Sequence, residues 1–245
     1  KHTFLQLPRC GPDKVPAAFA LKSRIDGWCE RWGLRGLTDR MLQRIAGWLP
    51  DHLPPRLRDF RARYEHHLLL KVSARDAEPT RAFLDTFFAG REGAFFVCDA
   101  DEGRKAFLHR FAVAGAAVRY REVHRDAVED IVALDVALRR DDRAWVESLP
   151  AALADTMVAR LYYGHFFCHV FHQDYIVRRG TDPLAVEHGL WALLDARGAE
   201  YPAEHNVGHL YPAKPALAAF YRTLDPTNTF NPGIGQTSRQ RDWAG

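Results

Sequence analysis

Strand-like and helix-like runs alternate along residues 64–200, and this alternation limits the possible folds more than any other feature of the sequence. The strand-like runs are rich in aromatic and β-branched residues, whereas the helix-like runs repeat apolar residues at helical spacing. Strands are predicted at 66–74, 93–100, 127–138 and 162–177. Helices are predicted at 78–90, 101–118, 148–161 (capped by Ser148) and 182–202. The alternation predicts an α+β fold in which helices cover one face of a sheet.

The first 63 residues are rich in proline and arginine, and they predict a helical segment. The clearest helix is expected at 37–50, with Thr38 as its cap. It carries an apolar stripe formed by Met41, Leu42, Ile45, Trp48 and Leu49. Four arginines follow within eight residues: Arg56, Arg58, Arg61 and Arg63. Such a segment can lie in a membrane interface and attract anionic lipid. Alternatively, the stripe packs on the protein's own core and the arginines stay solvated, and the residues alone favour this second interpretation.

Composition argues against several classes of protein. Apolar residues make up 47% of the 245 residues, so we expect a folded core rather than disorder. The net charge of +3 is small, and without zinc-finger spacing or an RNA-binding motif we expect no nucleic-acid partner. Four cysteines without a C-x-x-C pair are typical of reduced thiols in the cytoplasm. No apolar run reaches the roughly 18 residues of a membrane-spanning helix. The first ten residues read as part of a strand, so we expect the chain to be the later part of a longer protein.

Histidines cluster in the last third of the chain, at His165, His169, His172, His205 and His209. Imidazole and carboxylate groups bind zinc, and a site made of two histidines and one glutamate leaves a position open for substrate. On one straight strand, however, His165 and His172 would point to opposite faces because seven residues separate them. A bulge or a loop near Gly164 would be needed to bring them together. The alternative is that these histidines decorate a half-buried strand and make ordinary hydrogen bonds.

A carboxylate and an imidazole are adjacent at Glu204 and His205, in a short segment between Pro202 and Pro212. Neighbouring residues on an extended segment point in opposite directions. Glu204 could therefore face a metal while His205 faces a substrate. A structural glutamate beside a surface histidine is the other interpretation.

Six motifs together resemble a known family of flavoproteins. They are YEHHLLLK, KAFLHRFAVAGAAVRY, LDVALRRDD, YYGHFFCHVFHQDYIV, YPAEHNVGHLY and DPTNTFNPGIGQTSR. The chain resembles the quinone-dependent D-lactate dehydrogenases of bacterial respiration, which are peripheral membrane proteins among the FAD-linked oxidases related to vanillyl-alcohol oxidase. The resemblance covers essentially the whole chain from residue 2 onward.

The resemblance implies three segments and a flavin domain that this chain lacks. Residues 1–63 would bind the membrane, and residues 64–200 would form a ferredoxin-like cap, an antiparallel sheet with helices on one face. Residues 201–245 would return to the FAD domain. FAD would be held mainly by the missing N-terminal domain, with Asn231 as the cofactor-binding residue of this chain.

The resemblance also implies a set of site residues. In related 2-hydroxyacid dehydrogenases, a G-H-x6-H motif supplies two metal ligands, and a later E-H pair supplies a third ligand and a catalytic base. The matching residues here are His165, His172 and Glu204 for zinc or another divalent metal, His205 as the base, and Arg110 and Asn206 for the substrate. Relatives carry G-D-G-N between the two histidines, where this chain carries Phe167, Cys168, His169 and Val170.

The implied function is FAD-dependent oxidation of D-lactate to pyruvate, with electron transfer to membrane quinone. The expected location is an anionic lipid surface on the cytoplasmic face of the bacterial inner membrane, and membrane contact becomes the favoured interpretation of residues 37–63. The isolated chain is expected to be inactive. Two other classes stay open: a metal-dependent hydrolase and a membrane-tethering module without catalysis.

Overall fold

The computed structural model describes residues 15–202 and 211–244, and the chain divides into two compact units, Lys1–Val123 and His124–Gly245. The described part of the first unit is helical, and the second unit contains an antiparallel sheet. The α+β class predicted from the sequence is therefore confirmed. The division into segments 1–63, 64–200 and 201–245 stays a prediction.

Helices and the irregular segments between them make up the described part of the first unit. They are α1 (Val15–Arg31), α2 (Leu37–Trp48), α3 (Pro55–Arg63), α4 (Ala77–Phe88), α5 (Ala100–Ala114) and α6 (Ala116–Val123). A reciprocal capping box begins α5, because the Asp99 carboxylate accepts from the Glu102 backbone N–H at 2.8 Å and the Glu102 carboxylate accepts from the Asp99 backbone N–H at 3.0 Å. Gly115 separates α5 from α6, so the single helix predicted at 101–118 is two helices.

The helix predicted at 37–50 is confirmed as α2, but its predicted cap is wrong. Gly36, in the left-handed conformation, precedes the helix, and no side chain caps it. Thr38 lies inside the helix, where its hydroxyl donates to Asp26 of α1. Lys22 of α1 also donates to Asp39 of α2 at 2.9 Å. Polar contacts therefore join these two helices.

The apolar stripe of α2 faces outward from the described part of the first unit. All five stripe residues are exposed, and Trp48 is 78% exposed. Exposed Trp28 and Ile25 add to this apolar surface from α1. The buried residues of the two helices are instead Cys29, Asp39 and Ala46. Within residues 15–202 and 211–244, the stripe therefore does not pack on a core, and the choice between the two interpretations stays a prediction.

Two of the predicted strands are wrong. Residues 66–73 and 93–99 lie outside the helices and strands of the structure, although their apolar and β-branched composition favours strands. A strand is stable only when neighbouring strands pair with it, and in the described part of the chain neither segment has such a neighbour. The composition of these segments was therefore not sufficient to place them in the sheet.

The second unit forms a three-stranded antiparallel sheet in the order β1-β3-β2. Its elements are β1 (Val128–Ala137), α7 (Ala151–Ala154), β2 (Met157–His165), β3 (Val170–Arg178), α8 (Pro183–Ala196) and α9 (Pro215–Leu224). A single bridge pairs Ala137 with Glu200 at the free edge of β1. The succession from β1 to Glu200 follows the β-α-β-β-α-β order of ferredoxin-like folds, with the last strand reduced to one bridge.

Two predictions for this unit need correction. The helix predicted at 148–161 forms only as α7, which follows Pro150 rather than Ser148, and β2 begins soon after it. The single strand predicted at 162–177 is a hairpin, because residues 166–169 turn between β2 and β3. The strand predicted at 127–138 and the helix predicted at 182–202 are confirmed as β1 and α8, with α8 ending at Ala196.

The core of the second unit lies between α8 and one face of the sheet. It is formed by alternate residues of the strands and by one stripe of the helix. The main contributors are Val132, Leu134, Val136, Phe171, Tyr175, Val177, Val186, Leu190 and Leu194. This inner face determines which residues of β1 and β3 point outward.

Gly164 allows the two strands of the hairpin to approach closely. A Cβ at this position would lie 2.7 Å from the Val170 carbonyl oxygen and 2.8 Å from Cδ1 of Phe171. We predict that Gly164→Ala lowers the free energy of unfolding by about 1–3 kcal/mol, because the strands must move apart. Denaturant unfolding of the chain measures the change.

Gly47→Ala is the matched control. Gly47 lies in α2, where a Cβ would meet nothing within 4 Å. Alanine is favoured over glycine in helices by up to about 1 kcal/mol, so this variant should be neutral or slightly more stable. A Gly164→Ala protein as stable as the Gly47→Ala protein would contradict the close approach of the strands.

A partly buried histidine pair makes the stability of the first unit depend on pH. Nε2 of His52 lies 2.9 Å from Nδ1 of His109. Burial, together with the charges of His52 and Arg61, lowers the pKa of His109 to about 4. Below about pH 6.5 the unfolded chain therefore binds a proton that the folded chain does not bind until about pH 4. The stability from this group is complete above pH 6.5 and is lost as the pH falls toward 4.

We predict that acidification from pH 6.5 to 4 destabilises the wild type by roughly 1–2 kcal/mol more than it destabilises a His109→Gln variant, after allowance for the partial exposure of the ring. Urea unfolding at several pH values gives this difference. His66→Gln, at an exposed position, should follow the wild-type profile. Parallel profiles for wild type and His109→Gln would show that His109 is not responsible.

Candidate functional site

The candidate site lies on the outer face of the sheet in the second unit, opposite the face that contacts α8. Five polar residues from all three strands share this face: Asp135, Tyr163, His165, His172 and Asp174. They alternate with the core residues, because successive side chains of a strand point to opposite faces. Burial of the apolar residues on the inner side therefore places these polar groups together.

The hairpin brings His165 and His172 together. Tyr163 pairs with His172 in the register of β2 and β3, and His165 pairs with Val170. The rings of His165 and His172 meet edge to face, with their centroids 5.4 Å apart. Their separation by seven residues placed them on opposite faces only under the assumption of one straight strand. Since they lie on neighbouring strands, they share a face.

The turn between these strands has an uncommon backbone conformation. His169 has a φ of 61°, in the left-handed region, and its N–H donates to the His165 carbonyl at 3.0 Å. Histidine enters this region more readily than most side chains do. His169 is therefore a turn residue, and its ring packs at 6.4 Å from Trp145 rather than beside His172.

Aromatic side chains surround the same turn. Phe167 is 81% exposed, and the Trp145 ring lies 5.1 Å from Phe166 and 5.5 Å from Phe171. Arg140 donates to the Phe167 carbonyl at 3.4 Å. The end of the hairpin beside His165 is thus apolar and open.

Two carboxylates form hydrogen bonds with other side chains of the polar face. Oδ1 of Asp135 lies 2.5 Å from Nδ1 of His172, across the β1–β3 pair. The Tyr163 hydroxyl donates to Asp174. Burial, and then the negative charge of Asp135, raises the pKa of Asp174 to about 6. The site therefore brings acidic and imidazole groups together at positions that are only partly exposed to solvent.

The two histidines fit a shared divalent cation. Two imidazoles on one tetrahedral zinc have ring centroids roughly 5 Å apart, given zinc–nitrogen bonds of about 2.0–2.1 Å. The observed separation of 5.4 Å is close to this value. Across residues 15–202 and 211–244, no group of three His, Cys, Asp or Glu side chains is arranged to hold a metal. The described residues thus bring together two of the predicted ligands, and the metal site stays a prediction.

Glu200, four residues before Glu204 in the sequence, lies in one row of the sheet with His165, at the opposite edge. The bridge between Glu200 and Ala137, together with the pairs Ala137–Val170 and Val170–His165, forms one row across the sheet. Glu200 therefore lies at the same end of the sheet as His165. Glu204, His205 and Asn206, with His209, lie outside the described residues, and their site roles stay predictions.

Aromatic packing fixes the described residues on both sides of that segment. Tyr211 is buried, with its ring 5.1 Å from Trp191 of α8, and its hydroxyl donates to Glu187 at 3.0 Å. Tyr201, which precedes the segment, stacks with its ring 5.8 Å from the same Trp191 ring. Burial and the negative charge of Glu187 raise the pKa of Tyr211. The chain on either side of residues 203–210 is therefore attached to the core.

Two other predicted site residues belong to other elements of the chain. Arg110 is an exposed residue of α5 in the first unit. Asn231 lies in the turns after α9, where its carbonyl accepts from the Ile234 N–H at 3.1 Å. Their roles in substrate and cofactor binding also stay predictions.

Sequence reasoning missed Asp135, Tyr163 and Asp174. Asp135 stands between buried Leu134 and Val136 in a run that was predicted as a strand. A lone acid that alternates with buried apolar residues indicates an outward position, but the strand pairing that places it opposite His172 cannot be read from spacing. The positions of Asp174 and Tyr163 on the same face could be predicted only if the hairpin turn were known.

Comparison with known proteins gives a consistent result. A family model described as "D-lactate dehydrogenase, membrane binding" matches residues 1–243. The chain is 52% identical over 245 residues to the quinone-dependent D-lactate dehydrogenase of Escherichia coli (strain K12), an alignment that covers 99% of this chain and 43% of the relative. It is 50% identical over 247 residues to the quinone-dependent D-lactate dehydrogenase of Haemophilus influenzae, covering 100% of this chain and 44% of the relative.

A more distant relative agrees with these two. The quinone-dependent D-lactate dehydrogenase of Corynebacterium glutamicum is 42% identical over 248 residues, covering 100% of this chain and 43% of the relative. The chain thus spans less than half the length of each of these relatives.

Proposed function

The chain belongs to the membrane-binding family of D-lactate dehydrogenases, and on this basis we propose that it is part of a peripheral membrane enzyme that oxidises D-lactate to pyruvate and reduces membrane quinone. The observation that supports the proposal is the outer face of the sheet, where the rings of His165 and His172, two residues of the family motif, lie together. Such a face can hold and deprotonate a small hydroxy acid.

The chemistry divides between groups on this chain and groups outside it. Oxidation of D-lactate removes a hydride from C2 and a proton from the hydroxyl group. FAD, which we expect the rest of the protein to hold with a contribution from Asn231, supplies the hydride acceptor when it is bound. In our proposal His205 takes the hydroxyl proton, because an imidazole has an ordinary pKa close to neutral pH.

The remaining residues would bind and orient the substrate. Arg110 carries the positive charge and paired donors that suit a carboxylate, and Asn206 adds neutral hydrogen-bonding groups. His165, His172 and Glu204 would hold a divalent cation, and such an ion would supply Lewis-acid polarisation of the hydroxyl when bound. The ring of His172 would be oriented for that role by its contact with Asp135.

The exposed face of α1 and α2 supports the membrane part of the proposal. Amphipathic helices with tryptophan on the apolar side and arginine on the polar side lie in the interface plane of a bilayer. Trp28 and Trp48 are 61% and 78% exposed, and Arg40 and Arg44 are exposed on α2. Among the residues described, no helix combines the length and apolar character that a bilayer crossing requires. We infer peripheral contact at the cytoplasmic face of the inner membrane, with anionic lipid and quinone as partners.

The arginines after α2 contribute less to lipid binding than their number indicates. Arg56 pairs with Glu102, whose pKa it lowers to about 2, and Arg61 pairs with Asp51 at 2.6 Å. Arg63 pairs with Asp59 at 3.2 Å. Three of the four arginines of α3 therefore neutralise acids within their own unit. The apolar face and the arginines of α2 are the better candidates for membrane contact.

A hybrid enzyme tests the catalytic proposal. This chain would replace the matching segment of the Escherichia coli relative, with which it shares 52% identity. We predict that the hybrid reduces a soluble quinone with D-lactate, and that His205→Ala lowers its turnover by about 10² to 10⁴ because the general base is lost. Flavin absorbance confirms equal FAD content in both proteins.

His209→Ala is the control, since it removes a nearby imidazole to which we assign no role. A near-normal rate for His205→Ala would exclude that residue as the base. An inactive wild-type hybrid with full FAD content would contradict the proposed oxidation. Ester hydrolysis by the zinc-loaded chain would then support a hydrolase, and vesicle binding without any activity would support a tethering module.

The membrane proposal predicts two separable effects. Arg44→Gln should weaken binding to vesicles that contain anionic lipid about fivefold, because one basic residue near such a surface contributes about 1 kcal/mol. Trp48→Ala should weaken binding to neutral and anionic vesicles alike, because apolar insertion does not depend on lipid charge. Sedimentation with vesicles at two salt concentrations measures both.

Control variants lie in the second unit. Arg241→Gln removes an exposed charge and Leu184→Ala removes an exposed apolar side chain, and both should bind vesicles as the wild type does. If Arg44→Gln and Arg241→Gln weaken binding equally, the binding reflects net charge and not the face of α1 and α2.

A further inference from the structure

A hydrogen bond between Asp135 and His172 determines which ring nitrogen of the imidazole can bind a metal. The two residues are directly opposite each other on β1 and β3, and Oδ1 of Asp135 lies 2.5 Å from Nδ1 of His172. Their side chains are 14% and 22% exposed, so the pair is largely shielded from water. The contact is thus short and charge-assisted, of the kind that orients an imidazole ring.

The backbone around Asp135 is rigid. Leu134 and Val136 on either side are 2% and 0% exposed, and both belong to the core beneath the sheet. β3, which carries His172, is the central strand and pairs on both sides. The carboxylate and the ring therefore keep their relative positions without help from a bound ligand.

The hydrogen bond selects one tautomer of the ring. An ionised carboxylate can only accept, so the nitrogen that faces Asp135 carries the proton. In a neutral imidazole the lone pair then lies on Nε2. Metal ions bind the nitrogen with the lone pair, and a carboxylate on the other ring nitrogen fixes which nitrogen that is.

The contact of Asp135 with His172 differs from that of the other carboxylate on this face. Its contact is with the ring nitrogen of His172, and within the described ranges no third acidic, cysteine or histidine side chain completes a metal site with the two histidines. Asp174, the other carboxylate of this face, accepts from Tyr163. In the described part of the chain, the two carboxylates therefore contact different groups: Asp135 contacts His172, and Asp174 contacts Tyr163.

We propose that Asp135 is a positioning residue that keeps His172 as the Nδ1–H tautomer, so that Nε2 is presented to a divalent cation shared with His165. The inference deepens the proposed function, since it concerns the cation site on which that function depends. It makes Asp135 part of the site, a role that spacing and motifs did not assign to it.

Nitrogen NMR of the metal-free chain tests the tautomer directly. Protein labelled with ¹⁵N-histidine gives separate signals for protonated and unprotonated ring nitrogens, and a His172→Gln sample assigns the signal. In the wild type we expect protonated Nδ1 and unprotonated Nε2 at neutral pH. A wild-type His172 with the proton on Nε2 would overturn the proposal without the need for any further variant.

Asp135→Asn tests the cause. An asparagine amide can donate to Nδ1, which moves the ring proton to Nε2 and removes the lone pair from the metal side. We expect the tautomer to change and the affinity for Zn²⁺, measured by competition with a fluorescent chelator, to fall by about 10- to 100-fold. Asp155→Asn, which removes an equal charge at an exposed position before β2, should change neither.

The outcomes separate this inference from the proposed function. If Asp135→Asn keeps the wild-type tautomer and zinc affinity, the inference fails, even in a hybrid that oxidises D-lactate. If the tautomer and affinity change as expected but the wild-type hybrid oxidises no D-lactate, the positioning role stands and the proposed oxidation fails. Circular dichroism of each variant checks that the sheet is intact.

Discussion

The alternation of side chains along β3 is the constraint on which the second unit depends. Phe171, Tyr175 and Val177 point into the core, while His172 and Asp174 point to the outer face. A slip of one residue in the pairing would exchange the two sets, burying charged groups and exposing apolar ones. Because β3 is the central strand, this cost fixes its register with β1 and β2 at the same time. The site is thus a consequence of the way the core is packed.

The contacts of the outer face follow from that register. Asp135 meets His172 because the two are paired residues, and His165 meets His172 because a four-residue turn returns the chain beside itself. Gly164 keeps the hairpin close enough for these contacts. Both histidines therefore lie on paired strands of the sheet, which are more precise supports for side chains than loops are. The aromatic turn next to them adds an apolar border.

The first unit differs from the second in which residues it buries. Its α1 and α2 bury small and polar residues and leave tryptophan and aliphatic residues exposed. Soluble monomers rarely expose an apolar surface of this kind, and a membrane interface is one environment that accepts it. Polar contacts such as Lys22–Asp39 and Arg56–Glu102 maintain the helices without using that apolar face. The polar contacts between the helices therefore use different residues from the exposed apolar face of the same unit.

The amino-acid sequence by itself determined the α+β class, the elements α2, β1 and α8, and the family, because these depend on local periodicity and on long shared motifs. It did not determine whether residues 66–73 and 93–99 would join the sheet, since pairing needs a partner strand that composition does not reveal. It selected His165 and His172 but left open whether they meet. Only the tertiary structure, through the turn at residues 166–169 and the β1–β3 register, brought the two rings together and placed Asp135 behind one of them. The physical reason is that side-chain direction follows from the local chain, whereas contact between strands follows from the burial of the whole apolar face.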